Sequence, residues 1–185
     1  MLTFSLENAM SDLLGISFLI ILGALFAMSE IAIAAARKIK LRVIADESNQ
    51  NAQAVLGLQE KPGSFFAMIQ IALNAIAILG GIIDEQTLSP YMSQIVSFVY
   101  TGELAEQISF LLSFLVITSL FILFADLLPK RIAMIMPETE AIKVVNLMNW
   151  LTFSLTPFVL FFNGISNVVL RLFKMPTERE EVDTT

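Results

Sequence analysis

The chain of 185 residues contains no cysteine and no histidine. Without cysteine there is no disulfide frame and no thiolate chemistry. Without histidine the usual general base and the commonest transition-metal ligand are both missing. No enzymatic activity is expected from such a set. Charge is also scarce, at 15% of residues against 56% hydrophobic ones. The mean hydropathy of +0.77 is well above that of an ordinary soluble domain. The basic residues are missing from two places in particular, 1–12 and 84–106.

What the chain does have is long apolar runs. Residues 13–36 carry one charge, Glu30; residues 64–83 and 107–125 carry none, and Asp126 follows the latter. Residues 144–170 carry none and are interrupted by Pro157. A helix needs roughly 20 apolar residues to cross a bilayer, so an all-α integral membrane protein is expected. The first run is too long, and lacks the basic leader, for a cleavable signal peptide.

The distribution of lysine and arginine predicts orientation. Arg37, Lys38, Lys40, Arg42 and Lys61 sit between the first two runs, and Lys130, Arg131, Lys143, Arg171, Lys174 and Arg179 follow the third. The 84–106 segment instead holds Asp84, Glu85, Glu103 and Glu106. The positive-inside rule puts the N-terminus outside and the 37–61 loop and the C-terminus in the cytoplasm. All 11 basic residues are then cytoplasmic only if the fourth run does not cross. Three transmembrane helices are therefore expected, with 144–170 a segment broken at Pro157 in a juxtamembrane belt on the cytoplasmic side. Its Asn146, Asn149, Trp150, Asn163 and Asn167 suit an interface or a protein surface. The alternative is a fourth crossing. Between the spans, 37–61 reads as a basic amphipathic helix followed by a polar turn at 47–50. A short surface helix is expected at 95–100. The membrane domain is assigned to 1–175. The polar tail, 176–185, reads as a truncation point before cytosolic regulatory domains.

Polar residues inside the spans are functional candidates by default. Ser29 and Glu30 lie in the first span. Gln70 and Asn74 lie four apart on one face of the second. Asp126 closes the third, three residues before Pro129. In a helix that proline clashes with the carbonyl of Ala125, and unwound backbone survives at membrane depth only where protein or water covers it. The set Ser29, Glu30, Gln70, Asn74, Ala125 and Asp126 offers oxygen alone, which selects Mg²⁺, Ca²⁺ or Na⁺. Five of the six also have an ordinary reading, Glu30 as a snorkelling carboxylate. Asp126 and Lys130 make an i, i+4 ion pair, Ser29 bonds back to its own helix, and Asn74 with Gln70 joins helices.

The motifs FAMSEIAIAAARKIKLRVIAD, KPGSFFAMIQIALNAIAILGG and FADLLPKRIA, in that order, resemble the transmembrane domain of the CNNM/CorC proteins, Mg²⁺ transporters and homologues. The resemblance implies three spanning helices with a juxtamembrane belt, assembled as a homodimer in the cell inner (plasma) membrane. It implies an inward-facing dehydrated Mg²⁺ site and Na⁺-coupled Mg²⁺ export by alternating access. Carried over by position, the ligands would be Ser29, Asn74 and Asp126, helped by backbone carbonyls. The family usually has Gly-Glu where this chain has Ala125-Asp126. The shorter Asp requires either a slightly closed cavity or contact through water. Cytosolic CBS modules normally follow this domain in the family. A Mg²⁺-binding sensor or anchor that regulates partners without transport is the competing function. No nucleic-acid partner is expected.

Overall fold

The computed structural model describes residues 2–60, 62–87, 89–98, 100–102 and 104–173. The polar tail expected at 176–185 lies outside these residues, as do Lys61, Glu103, Lys174 and Arg179. The described elements are helical: α1 (Leu2–Ala35), α2 (Lys38–Asp46), α3 (Gln50–Glu60), α4 (Pro62–Thr87), α5 (Ser89–Ser97) and α6 (Ala105–Leu120). A π-helical segment (Phe121–Leu127) joins α6 to α7 (Leu128–Ile135), and α8 (Pro137–Leu172) follows.

Four stretches among the described residues are long and apolar enough to cross a membrane: Leu13–Ala35, Pro62–Ile83, Ala105–Ile135 and Pro137–Leu172. The chain is thus an all-α multi-pass membrane protein. Its lipid-compatible surface is plain in Phe18, Ile21, Ile78, Leu115 and Phe161, all exposed. In water such a surface would be a liability; in a bilayer it is the solvated face.

The core lies toward the end of the bundle where α2 and α3 sit. Ala32, Ile33 and Ala36 of the first span pack with Leu41 of α2, Val55 of α3, Phe65, Met68 and Ile69 of α4, Ala133 of α7, and Val145 and Met148 of α8. α1 is the central helix, touching α3, α4, the π segment, α7 and α8. Small residues explain its close neighbours. Ala32 and Ala36 are buried within the chain, whereas Ala34 and Ala35 remain exposed. Gly23 lets α1 approach the π segment: a Cβ there would meet that of Ala125 at 3.0 Å.

Side chains close the C-terminal end of α1 and the N-terminal end of α3. The Gln59 amide donates to the carbonyls of Ile33 (2.7 Å) and Ala36 (2.8 Å), satisfying the C-terminal end of α1. The polar turn expected at 47–50 is present. Ser48 adopts a positive φ of 69°, and Asn49 Oδ1 accepts from Ala52 N–H at 3.1 Å to cap α3. The basic amphipathic helix is α2, with Leu41 buried and Ile39, Lys40 and Arg42 exposed.

Three expectations are corrected. The surface helix in the outer loop starts earlier than 95–100, at Ser89, because Pro90 fits a first helical turn, where its missing N–H costs nothing. The third span does not stop at Asp126; it continues through the π segment into α7. The fourth run is not broken at Pro157: α8 is one helix with that proline inside it. Thr152 and Thr156 each donate a hydroxyl to the carbonyl four residues earlier, both at 2.7 Å, adding hydrogen bonds in the turns before the proline.

Candidate functional site

The third span carries the site because of its backbone. Proline at position 129 cannot donate to the ladder, and its ring crowds the carbonyl four residues earlier. The chain accommodates this by widening rather than unwinding. Leu128 N–H bonds to Leu123 O, a five-residue spacing, and the missing donor at Pro129 falls opposite the carbonyls of Phe124 and Ala125. Such π turns recur at functional sites. This one presents Asp126 and, one α-helical turn later, Lys130.

Lys130 is the hub. Its Nζ lies 2.7 Å from Asp126 Oδ1 and 3.4 Å from Glu30 Oε2 on α1. Glu30 Oε1 accepts from the Gln70 amide of α4 at 3.1 Å. Three helices therefore converge on one polar network. The depths agree. Glu30 lies about 8 Å before the end of α1, Lys130 about 8 Å before the end of α7, and Gln70 about 12 Å into α4. Burial is graded: the side chains of Glu30, Lys130 and Asp126 are 15%, 29% and 45% exposed. Glu30 Oε2 is shielded from solvent and makes no hydrogen bond, only the longer ion pair to Lys130. Two carboxylates and one ammonium leave the network with a formal charge of −1.

The six residues expected at the site divide accordingly. Glu30, Gln70 and Asp126 belong to the network. Ser29 is fully buried beside it, but its hydroxyl donates to Leu25 O at 2.7 Å within α1. Asn74 is exposed one turn beyond Gln70. Ala125 is buried, its Cβ and carbonyl facing Gly23 of α1. Among the described residues, no group of three or more His, Cys, Asp or Glu side chains is placed to hold a metal ion.

Sequence reasoning missed the role of Lys130, which it used only for topology and as a possible partner of Asp126. The available signal was Glu30: a carboxylate inside a span calls for a partner, and Lys130 lies within the third span at a matching depth. A second ionic cluster was also missed. Glu138, nearly buried at the start of α8, accepts from Arg37 Nε at 3.0 Å, and Lys40 Nζ lies 3.6 Å away. Asn51 donates to Ile142 O (3.2 Å) and accepts from Asn146 (3.0 Å). Together they fasten the first turns of α8 to α2 and α3.

Comparison with known proteins gives the arrangement its context. The polyamine export protein of Escherichia coli (strain K12) is 51% identical over 172 residues, covering 93% of this chain and 38% of that protein. The polyamine export protein of Haemophilus influenzae is 43% identical over 169 residues, covering 91% and 39%. A UPF0053 protein of Synechocystis sp. is 34% identical over 167 residues, covering 88% and 36%. The chain thus spans a little over a third of the length of these relatives. The model of the cyclin M transmembrane N-terminal domain matches residues 14–185, nearly the whole chain, and the chain belongs to that CNNM family.

Proposed function

We propose that the chain is the translocation unit of an exporter of organic polyamines, with Glu30 and Asp126 receiving an ammonium group of the cargo. The observation that carries this reading is that an alkylammonium already lies between them, the Lys130 side chain, at 3.4 Å and 2.7 Å. A polyamine ends in the same group, three N–H donors on a flexible methylene stem. Gln70 and Asn74, both exposed and one turn apart, offer amide oxygens to a second amine. The name of the relatives, polyamine export protein, points to the same class of cargo.

In this reading α1, α4 and α6–α7 cross the membrane, and α2, α3 and α8 form a belt at the cytoplasmic face. The N-terminus lies outside a bacterial inner membrane and the C-terminus inside. Two copies assemble, CBS modules follow in the full-length protein, and the activity is transport rather than catalysis.

A second reading, Na⁺-coupled Mg²⁺ export or Mg²⁺ sensing, is favoured by the oxygen-only chemistry of Ser29, Asn74 and Asp126. It requires near-octahedral oxygens at about 2.0–2.1 Å and the departure of Lys130 from between the carboxylates. Inverted membrane vesicles carrying the protein separate the two. Labelled putrescine should accumulate, and Glu30→Gln and Asp126→Asn should each lower its uptake at least about tenfold, the equivalent of about 1.4 kcal/mol. Mg²⁺ accumulation with no putrescine uptake would establish the second reading in its transport form. Mg²⁺ binding without flux would establish the sensor.

A further inference from the structure

We infer that Lys130 is a tethered stand-in for the cargo: its ammonium fills the Glu30–Asp126 site when no substrate is bound and is displaced by the substrate's ammonium. The inference rests on the polyamine reading above and adds a mechanism of gating and selectivity.

Geometry supports a removable occupant. The bond to Asp126 is short, at 2.7 Å, but that to Glu30 is 3.4 Å, well beyond the roughly 2.7–2.9 Å of a strong charge-assisted hydrogen bond. Glu30 Oε2, shielded from solvent, is thus left with a loose partner and no hydrogen bond. An incoming ammonium with unrestricted geometry can satisfy it better. Lys130 also has somewhere to go. Its side chain is 29% exposed, and it follows Pro129 and the π segment directly, where the ladder already lacks a donor.

Electrostatics requires such an occupant. Two bare carboxylates in an apolar segment would be strongly unfavourable. A tethered cation keeps the empty carrier neutral enough to reorient, and it sets a threshold. A cation that cannot replace the hydrogen bonds of an ammonium gains nothing by entering. The apparent affinity for cargo is lowered by the fraction of carriers in which Lys130 occupies the site.

Transport of putrescine by inverted vesicles, with wild type, Lys130→Gln and Lys130→Arg, tests this. Lys130→Gln removes the competitor, so KM should fall at least about tenfold while maximal rate also falls, because nothing replaces the departing cargo. Lys130→Arg installs a fork that holds both carboxylates at once, so KM should rise at least about tenfold. Opposite displacements of KM are not produced by a merely structural lysine, whose loss lowers maximal rate in both variants. Size-exclusion profiles in detergent establish folding. If Lys130→Gln fails to fold, Lys130→Arg alone decides. KM unchanged in the folded variants, with wild-type transport intact, overturns the tether and spares the polyamine reading. Absence of wild-type putrescine transport overturns both.

Discussion

Ser29 and Asn74 show how a residue's surroundings decide its chemistry. In sequence both look like cation ligands. In the fold the Ser29 hydroxyl is committed to Leu25 O, and Asn74 stands apart from the Glu30–Lys130–Asp126 network. A serine bonded to its own helix contributes little to stability, because the accepting carbonyl already has a backbone donor. Ser29→Ala should therefore change the melting temperature in detergent by no more than a few degrees and leave putrescine KM within about threefold, well under the 1.4 kcal/mol of a tenfold change. A loss of more than tenfold on Ser29→Ala would bring the hydroxyl into the site and revive the Mg²⁺ reading, in which Ser29 is a ligand. The sequence displayed Glu30, Gln70 and Asp126 as candidates because ionisable and amide groups stand out in apolar runs. It could not display their pairing, because Lys130 lies 100 positions from Glu30 and only the packing of α1 against α7 brings the two together.

At the scale of elements, the π segment is what sequence reading did not find. Pro129 was legible as a disturbance, but a proline can be met by a kink, a stop or a widened turn. The choice depends on what packs alongside. Here α1 offers Gly23 against Ala125, and α4 offers Gly80 against Phe121, so the widened turn is seated between two glycines. The adjacent pair in α4 isolates this effect. A Cβ on Gly81 would meet nothing within 4 Å, whereas one on Gly80 would lie 2.6 Å from Phe121 Cζ. Both alanine substitutions gain the same helix preference, about 0.5–1 kcal/mol. Only Gly80→Ala must displace a ring, at a cost of about 1–3 kcal/mol. Thermal unfolding in detergent should find Gly81→Ala neutral or stabilising and Gly80→Ala destabilised relative to it by at least about 1 kcal/mol. Equal stability of the two would mean that Phe121 does not rest on Gly80. The four apolar runs were legible because length and hydropathy alone define them. Pro157 misled, because a single proline in a long, otherwise bonded helix is tolerated when neighbouring hydroxyls supply extra hydrogen bonds.

For the whole molecule the route of α8 decides how many helices cross the membrane. Its first turns are fastened by Arg37, Lys40 and Asn51, all on the α2–α3 side of the bundle. Beyond Met148, Val159 is the one buried position among the described residues of this helix. A crossing helix in a bundle ordinarily buries one face against its neighbours for its full length; this one packs on the core as far as Val159, with Leu151 and Leu155 partly buried, and residues 160–169 are exposed. Length and composition permit a crossing, but the charges oppose it, since a crossing would carry Arg171 to the acidic side of the membrane against the positive-inside bias. This chain suits a direct test, having no cysteine of its own to remove. Single cysteines at Asn49, in the turn between α2 and α3, at Thr101, between α5 and α6, and at Arg171 can be challenged with a membrane-impermeant maleimide in intact cells and in inverted vesicles. Cysteine at 101 should react in cells, and cysteines at 49 and 171 only in inverted vesicles. Reaction of 171 in intact cells, with 49 still protected, would make α8 a fourth span. It would also leave the two clusters at its N-terminal end as the cytoplasmic anchor of a crossing helix rather than the hinge of a belt.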